Sequence, residues 1–171
     1  RGVSGLIKAG MPPCDDETLA RWRHDFMLRS QANRSKLIRP FDGVESLLSG
    51  LADAGVPWGI VTNKQKRFTV PLTEQMGLMQ RAHCVVSGDT TPFSKPHPEP
   101  ILHAAKLAKV DPKKALYVGD DIRDIVSGKA AGMHTAAALY GYCGCDEPPH
   151  QWGADYQIQH PWELQQIIFA K

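Results

Sequence analysis

The chain has 171 residues, 42% of them hydrophobic and 22% charged, the proportions of a globular domain rather than a disordered or fibrous protein. Twenty Lys and Arg against 18 Asp and Glu leave a formal charge of +2, too little to make nucleic acid or a membrane surface the expected partner. No apolar run approaches the roughly 20 residues of a membrane-spanning helix, and four cysteines are too few for a disulfide scaffold, so a cytoplasmic protein is expected.

The opening residues, Arg1 to Lys8, read as the interior of a helical segment. From Asp15, a candidate N-cap, Leu19, Trp22 and Phe26 recur at helical spacing and predict a helix with one narrow apolar stripe, running to about Lys36. The texture changes between Leu37 and Phe41. Val44, Leu47, Leu48, Leu51 and Ala52 mark an amphipathic helix that stops at Gly55. Trp58 to Val61 then reads as a short buried strand.

The alternation repeats. A helix over Phe68 to Met76 ends at Gly77, and a strand follows over His83 to Ser87. Pro98 suits a first helical position, with the helix running to about Val110. Leu116 to Gly119 is a strand, Ile122 to Ala130 a helix closed by Gly132, and Thr135 to Leu139 a strand. Pro161 opens a last helix carrying Leu164, Ile167 and Ile168. Apolar strands alternating with helices predict an α/β fold in which one parallel sheet is covered on both sides. The expected division is a small helical piece over residues 1–37 and an α/β body over residues 38–171.

In open α/β sheets, ligands bind beyond the carboxyl ends of the strands. The first predicted strand leads into Thr62 and Asn63. The loop after the second leads to Lys95, and the third leads into Asp120 and Asp121, with Asp124 one turn later. A hydroxyl and a lysine suit the oxygens of a phosphoryl group. A carboxylate suits a hard cation, and Mg²⁺ is typically held by one or two carboxylates plus substrate phosphate. Lys64 and Arg67 read as a solvated edge and His97 as part of a loop. Cys143-Gly-Cys145 lacks the second pair that a zinc site needs.

The motifs Ile60-Val-Thr-Asn63, Ser94-Lys-Pro-His-Pro-Glu-Pro100 and Val118-Gly-Asp-Asp-Ile-Arg-Asp124 resemble the second, third and fourth motifs of the haloacid dehalogenase superfamily, within it the phosphoglycolate-phosphatase-type hydrolases. The stretches Leu139-Tyr-Gly-Tyr142 and Gln151-Trp-Gly-Ala-Asp155 are similar to the N-acetylmuramic acid 6-phosphate phosphatases of that group. The resemblance implies a three-layer Rossmann-like core with a helical cap, of which residues 1–37 form part. It implies a Mg²⁺-dependent phosphomonoester hydrolase, working through an aspartyl-phosphate on a small phosphorylated metabolite such as phosphoglycolate or N-acetylmuramic acid 6-phosphate. In that reading Thr62 hydrogen-bonds the phosphoryl group, Asn63 helps to bind it through its backbone or amide, and Lys95 neutralises both the phosphate and the attacking aspartate. Asp120 ligates Mg²⁺, with Asp121 and Asp124 in or near the metal's surroundings. Arg1, Ser4 and Lys8 would face the substrate from the cap.

One motif of that family has no counterpart. Its first motif, Asp-x-Asp-Gly-Thr, carries the nucleophile and the general acid-base, and no Asp-x-Asp occurs among these residues. Phe41-Asp42-Gly43 follows no strand and reads as the loop before a helix. The family's first strand lies between those ending at Thr62 and Asp120, so the natural protein is expected to carry about one more strand-helix unit ahead of Arg1, some 30 residues or more. These residues alone are expected to be inactive. The alternative is a catalytically inactive, phosphate-binding or regulatory protein of the same fold. A receiver domain places its acidic pair first, and a dinucleotide-binding fold needs Gly-x-Gly-x-x-Gly after a strand, so neither order fits.

Overall fold

The computed structural model describes residues 10–33, 38–77, 79–143 and 147–169. Arg1, Ser4, Lys8 and Cys145 lie outside the described residues. The chain divides into two compact units, Arg1–Arg39 and Pro40–Lys171. In the first, helix α1 (Asp16–Asn33) starts as its sequence predicts. The Thr18 amide donates to Asp15 Oδ1 at 2.7 Å, satisfying one of the donors that a helix start leaves open. No helix among the described residues is long and apolar enough to cross a membrane.

In the second unit, Gly43 takes a left-handed φ of 88° and turns the chain into α2 (Val44–Asp53). Strand β1 (Gly59–Val61) leads through α3 (Lys66–Gln75) to strand β2 (Cys84–Val86), and the two strands pair in parallel, Val61 opposite Val86. Helix α4 (Glu99–Ala108) covers this pair, Ala104 and Ala108 packing with Cys84, Val86 and Val61. Pro98 stands one residue ahead of that helix, and its carbonyl accepts from the amides of Ile101 and Leu102.

Strand β3 (Leu116–Gly119), helix α5 (Ile122–Ala130) and strand β4 (His134–Ala138) follow as predicted. A strand that the pattern did not announce, β5 (Tyr156–Ile158), pairs in parallel with β4, ahead of α6 (Glu163–Phe169). On one face, Ala136 and Ala138 of β4 and Ile158 of β5 pack with Leu47 and Leu51 of α2 and Leu164 of α6. On the other, Ala137 packs with Ile125 of α5 and with Trp152. A strand buried on both faces has apolar neighbours in both directions, which is why β4 reads as an unbroken small-residue run rather than an alternation. The result is helix, sheet, helix.

The α/β fold is as expected, and the parallel strands are interrupted between β1 and β3, where the sequence reading left room for one further strand. The strands form a two-stranded sheet, β1-β2, and a separate three-stranded sheet, β3-β4-β5. The physical reason is visible in Tyr117. Its side chain reaches from β3 to β1, its hydroxyl 3.3 Å from the Val61 carbonyl. Strands a tyrosine side chain apart are too far for a ladder, which needs about 4.8 Å between neighbours.

Candidate functional site

The ends of β1 and β3 and the loop between β2 and α4 hold the predicted site residues. Thr62 continues β1: its amide donates to the Val86 carbonyl at 2.9 Å. Its Oγ1 accepts from the Lys64 amide at 3.1 Å, which fixes the rotamer and leaves the hydroxyl proton directed elsewhere. Asn63 does something that sequence alone did not suggest. Its amide nitrogen donates to the Lys95 carbonyl at 2.9 Å, and its amide oxygen accepts from the Lys95 N–H at 3.0 Å. Of the two routes by which Asn63 is expected to help, its backbone or its amide, the side-chain amide is thus engaged with the main chain of the lysine.

The Lys95 ammonium is nearly buried and donates to three oxygens. They are the Val61 carbonyl at 2.8 Å, the Tyr117 hydroxyl at 2.9 Å and Asp124 Oδ1 at 2.8 Å. An ammonium has three protons, and all three are satisfied. Tyr117 was not singled out from the sequence. In a strand it reads as a core aromatic, and only the fold shows its hydroxyl at the lysine. Burial, and then the carboxylates of Asp124 and Asp120, push that hydroxyl well above its ordinary pKa, so it stays protonated. Burial likewise pushes the Asp124 carboxyl up, while the Lys95 ammonium pulls it back.

The β3–α5 junction places three carboxylates within five residues and gives each a different partner. Asp121 caps α5, accepting from the Arg123 amide at 2.9 Å, and also receives the Arg123 guanidinium at 2.8 and 2.6 Å. That side-chain pairing, more than the cap itself, holds Asp121 at a pKa of about 2. Asp124 pairs with Lys95. Asp120 keeps one oxygen for the Tyr142 amide, Oδ2 accepting at 2.9 Å. Neither Gly119 nor Gly141 has room for a β-carbon: Asp124 crowds the first and Asp120 the second. Glycine at these two places lets the backbone lie against the carboxylates.

No cluster of three His, Cys, Asp or Glu ready to hold a metal occurs among the described residues. The donor set nonetheless fits a magnesium ion held mainly by other ligands. Asp120 offers a hard carboxylate oxygen at a strand end, while Asp121 and Asp124 are already ion-paired. Mg²⁺ commonly takes one or two carboxylates and fills its remaining positions with water and substrate.

The loops beyond the strands are tied together. The Gly88 amide donates to the Lys64 carbonyl at 2.8 Å, and the Lys66 amide to Asp89 Oδ1 at 2.7 Å. Ser127 of α5 donates to the His97 carbonyl at 2.7 Å. Thr62, Lys95 and Asp124 are therefore set by hydrogen bonds between elements, not by isolated loops.

Known proteins resemble this chain over most of its length. The chain is 42% identical over 146 residues to an N-acetylmuramic acid 6-phosphate phosphatase of Pseudomonas aeruginosa, covering 85% of this chain and 65% of that one. It is 38% identical over 161 residues to a phosphoglycolate phosphatase of Xylella fastidiosa, covering 94% and 70%. The chain thus spans about two thirds of the length of these relatives. A crystal structure of a predicted phosphoglycolate phosphatase from Haemophilus somnus 129pt superposes with a TM-score of 0.85 at 24% identity, over 96% of this chain and 73% of the other, which speaks for the fold. The model of the haloacid dehalogenase-like hydrolases matches residues 7–138, a span that includes Thr62, Lys95 and Asp120. With that span and that identity, the chain belongs to the haloacid dehalogenase-like hydrolase family.

Proposed function

We propose that the protein is a Mg²⁺-dependent phosphomonoester hydrolase acting on a small phosphorylated metabolite through an aspartyl-phosphate. The observation that carries this is the Lys95 ammonium, held nearly buried between the ends of β1 and β3 beside Asp124, with Thr62 and Asp120 at the same two strand ends. The family and the activities named for its relatives support the same reading. N-Acetylmuramic acid 6-phosphate and phosphoglycolate are the substrates to try first.

The Thr62 hydroxyl donates its proton to a non-bridging phosphoryl oxygen, an interaction of the kind worth about 10²–10³ in turnover. Lys95 supplies positive charge from behind that oxygen, held in place by Asp124 and Tyr117. Asn63 acts one step back, by positioning the lysine backbone. Asp120 would hold Mg²⁺, with Asp121 and Asp124 shaping its surroundings, and the bound ion would add charge stabilisation at the phosphate. The nucleophilic aspartate has no counterpart among these residues. We place it on a further strand between β1 and β3, whose facing edges have no ladder partner among the described residues. Residues 1–37 form part of the cap in this reading, and the body begins near residue 38.

The test is phosphate release by the full natural chain from both esters, with Mg²⁺ and with EDTA. Activity should require Mg²⁺, and Asp120→Asn should lower it by at least about 10²-fold. Undiminished turnover in Asp120→Asn would remove the metal assignment. Tight phosphate binding with no release from either ester would favour the inactive, regulatory alternative.

A further inference from the structure

Beside Asp120 the surface changes character. Phe41, in the turn before α2, meets Tyr140 edge-on at 5.5 Å and Tyr142 in a tilted contact at 5.7 Å between ring centroids. Tyr140 is anchored in the core against the α2 and α6 side of the sheet. Phe41 is 42% exposed and Tyr142 88% exposed. Single exposed aromatics are ordinary, but an exposed phenylalanine touching two tyrosines, one of them exposed and one half-buried, is a feature that needs a reason.

Their position gives one. The Tyr142 backbone amide is bonded to Asp120 Oδ2, and Gly141 lies against the Asp120 side chain. The rings therefore adjoin the carboxylate at the end of β3, held there by the main chain. An apolar surface with hydroxyls at its margin suits a molecule with one apolar face and polar edges. A sugar ring is such a molecule: its axial C–H groups pack on an aromatic face while its hydroxyls remain in water. A two-carbon acid phosphate has no such face.

We propose that Phe41 and Tyr142, backed by Tyr140, are specificity-determining residues that pack against the ring of a sugar phosphate. This inference rests on the hydrolase reading above and narrows its substrate class from small phosphorylated metabolites to phosphate esters of a six-membered sugar.

The experiment measures kcat/KM of the full natural chain for N-acetylmuramic acid 6-phosphate and for phosphoglycolate, in the wild type and in Tyr142→Ala, Phe41→Ala and Tyr142→Phe. The wild type should prefer the sugar ester. Tyr142→Ala should lower the ratio of the two values about tenfold, mostly through KM for the sugar ester, the upper end of what one aromatic contact supplies. Phe41→Ala should move the ratio in the same direction, and Tyr142→Phe should restore it to within about threefold of wild type. Preference for phosphoglycolate, or a ratio unmoved by both alanine variants, overturns the inference while leaving the hydrolase reading intact. Release from neither ester by the wild type removes both. Since Tyr142 is so exposed, a melting temperature equal to wild type will show that the alanine variant is folded.

Discussion

Around Lys95, every proton of the ammonium has an acceptor inside the protein, and its ion pair with Asp124 leaves only 9% and 11% of the two side chains accessible. A few residues along the same strand end, Asp120 takes, among the described residues, only a backbone amide on one oxygen, and its neighbours Asp121 and Arg123 pair at the surface. The first region is sealed and internally neutral; the second is open. The difference teaches how the labour can be divided. A charge that must stay in one place is fixed by burial and a complete set of partners, whereas a group that must accept a ligand keeps unfilled capacity.

The contrast can be broken most severely at Asp124. Replacing it with alanine leaves a nearly buried ammonium without its counter-charge, and the expected loss is about 3–5 kcal/mol of unfolding free energy. A urea titration of Asp124→Ala that showed less than about 1 kcal/mol would mean that water reaches Lys95 and that the region is not sealed. Asp124→Asn, which keeps an acceptor oxygen, should lose less.

Tyr117→Phe probes the same cluster more gently. It removes one of three acceptors from Lys95 and one donor from the Val61 carbonyl, at an expected cost of about 1 kcal/mol. If Tyr117 positions the lysine, kcat should fall with little change in KM, while Tyr117→Ala should also lose packing and stability. A purely structural tyrosine would lower the melting temperature and leave the kcat to KM split untouched.

The smallest effect belongs to the open side. Asp121 is held at about pH 2 in the folded protein against an ordinary 3.8, so its pairing contributes stability above about pH 4, lost as pH falls toward 2. Because the pair is partly exposed, solvent screening limits the contribution to no more than about 1 kcal/mol. Asp121→Asn should therefore flatten the acid limb of the stability curve between pH 4 and 2. Raising the salt should shrink the wild-type difference. An acid limb identical in Asp121→Asn and wild type would show that Arg123 adds nothing beyond an ordinary cap.

Much of this was legible in the residues because strand ends and helix starts announce themselves. Asp15, Gly55, Gly132 and the apolar run at 135–138 each carry a local physical cause, and the structure meets them within a residue or two. The last strand was not legible. Of Tyr156, Gln157 and Ile158 only Ile158 is buried, so the pattern is too short to show. What holds β5 in place is distant: Asp155 Oδ2 accepts from both the amide and the hydroxyl of Thr135, at 2.7 and 2.8 Å. The same is true of the site. Thr62 and Asp120 stand at strand ends, and Lys95 in the loop after a strand, that the alternation locates. The partners of Asn63 and Tyr117 lie 32 and 22 residues away, and only folding decides such pairings.

The reciprocal bonds between Asn63 and the Lys95 backbone also govern how this region can change. A carboxamide presents a donor and an acceptor on one planar group, and here they read the C=O and N–H of a single residue in another loop. Aspartate would offer two acceptors, leaving the Lys95 carbonyl without its donor and facing a carboxylate oxygen. A residue inserted into either loop would shift the match by a full peptide and carry the ammonium off the strand end. Loops ordinarily tolerate changes of length, yet these two are coupled like the teeth of a gear, so they should gain or lose residues only together.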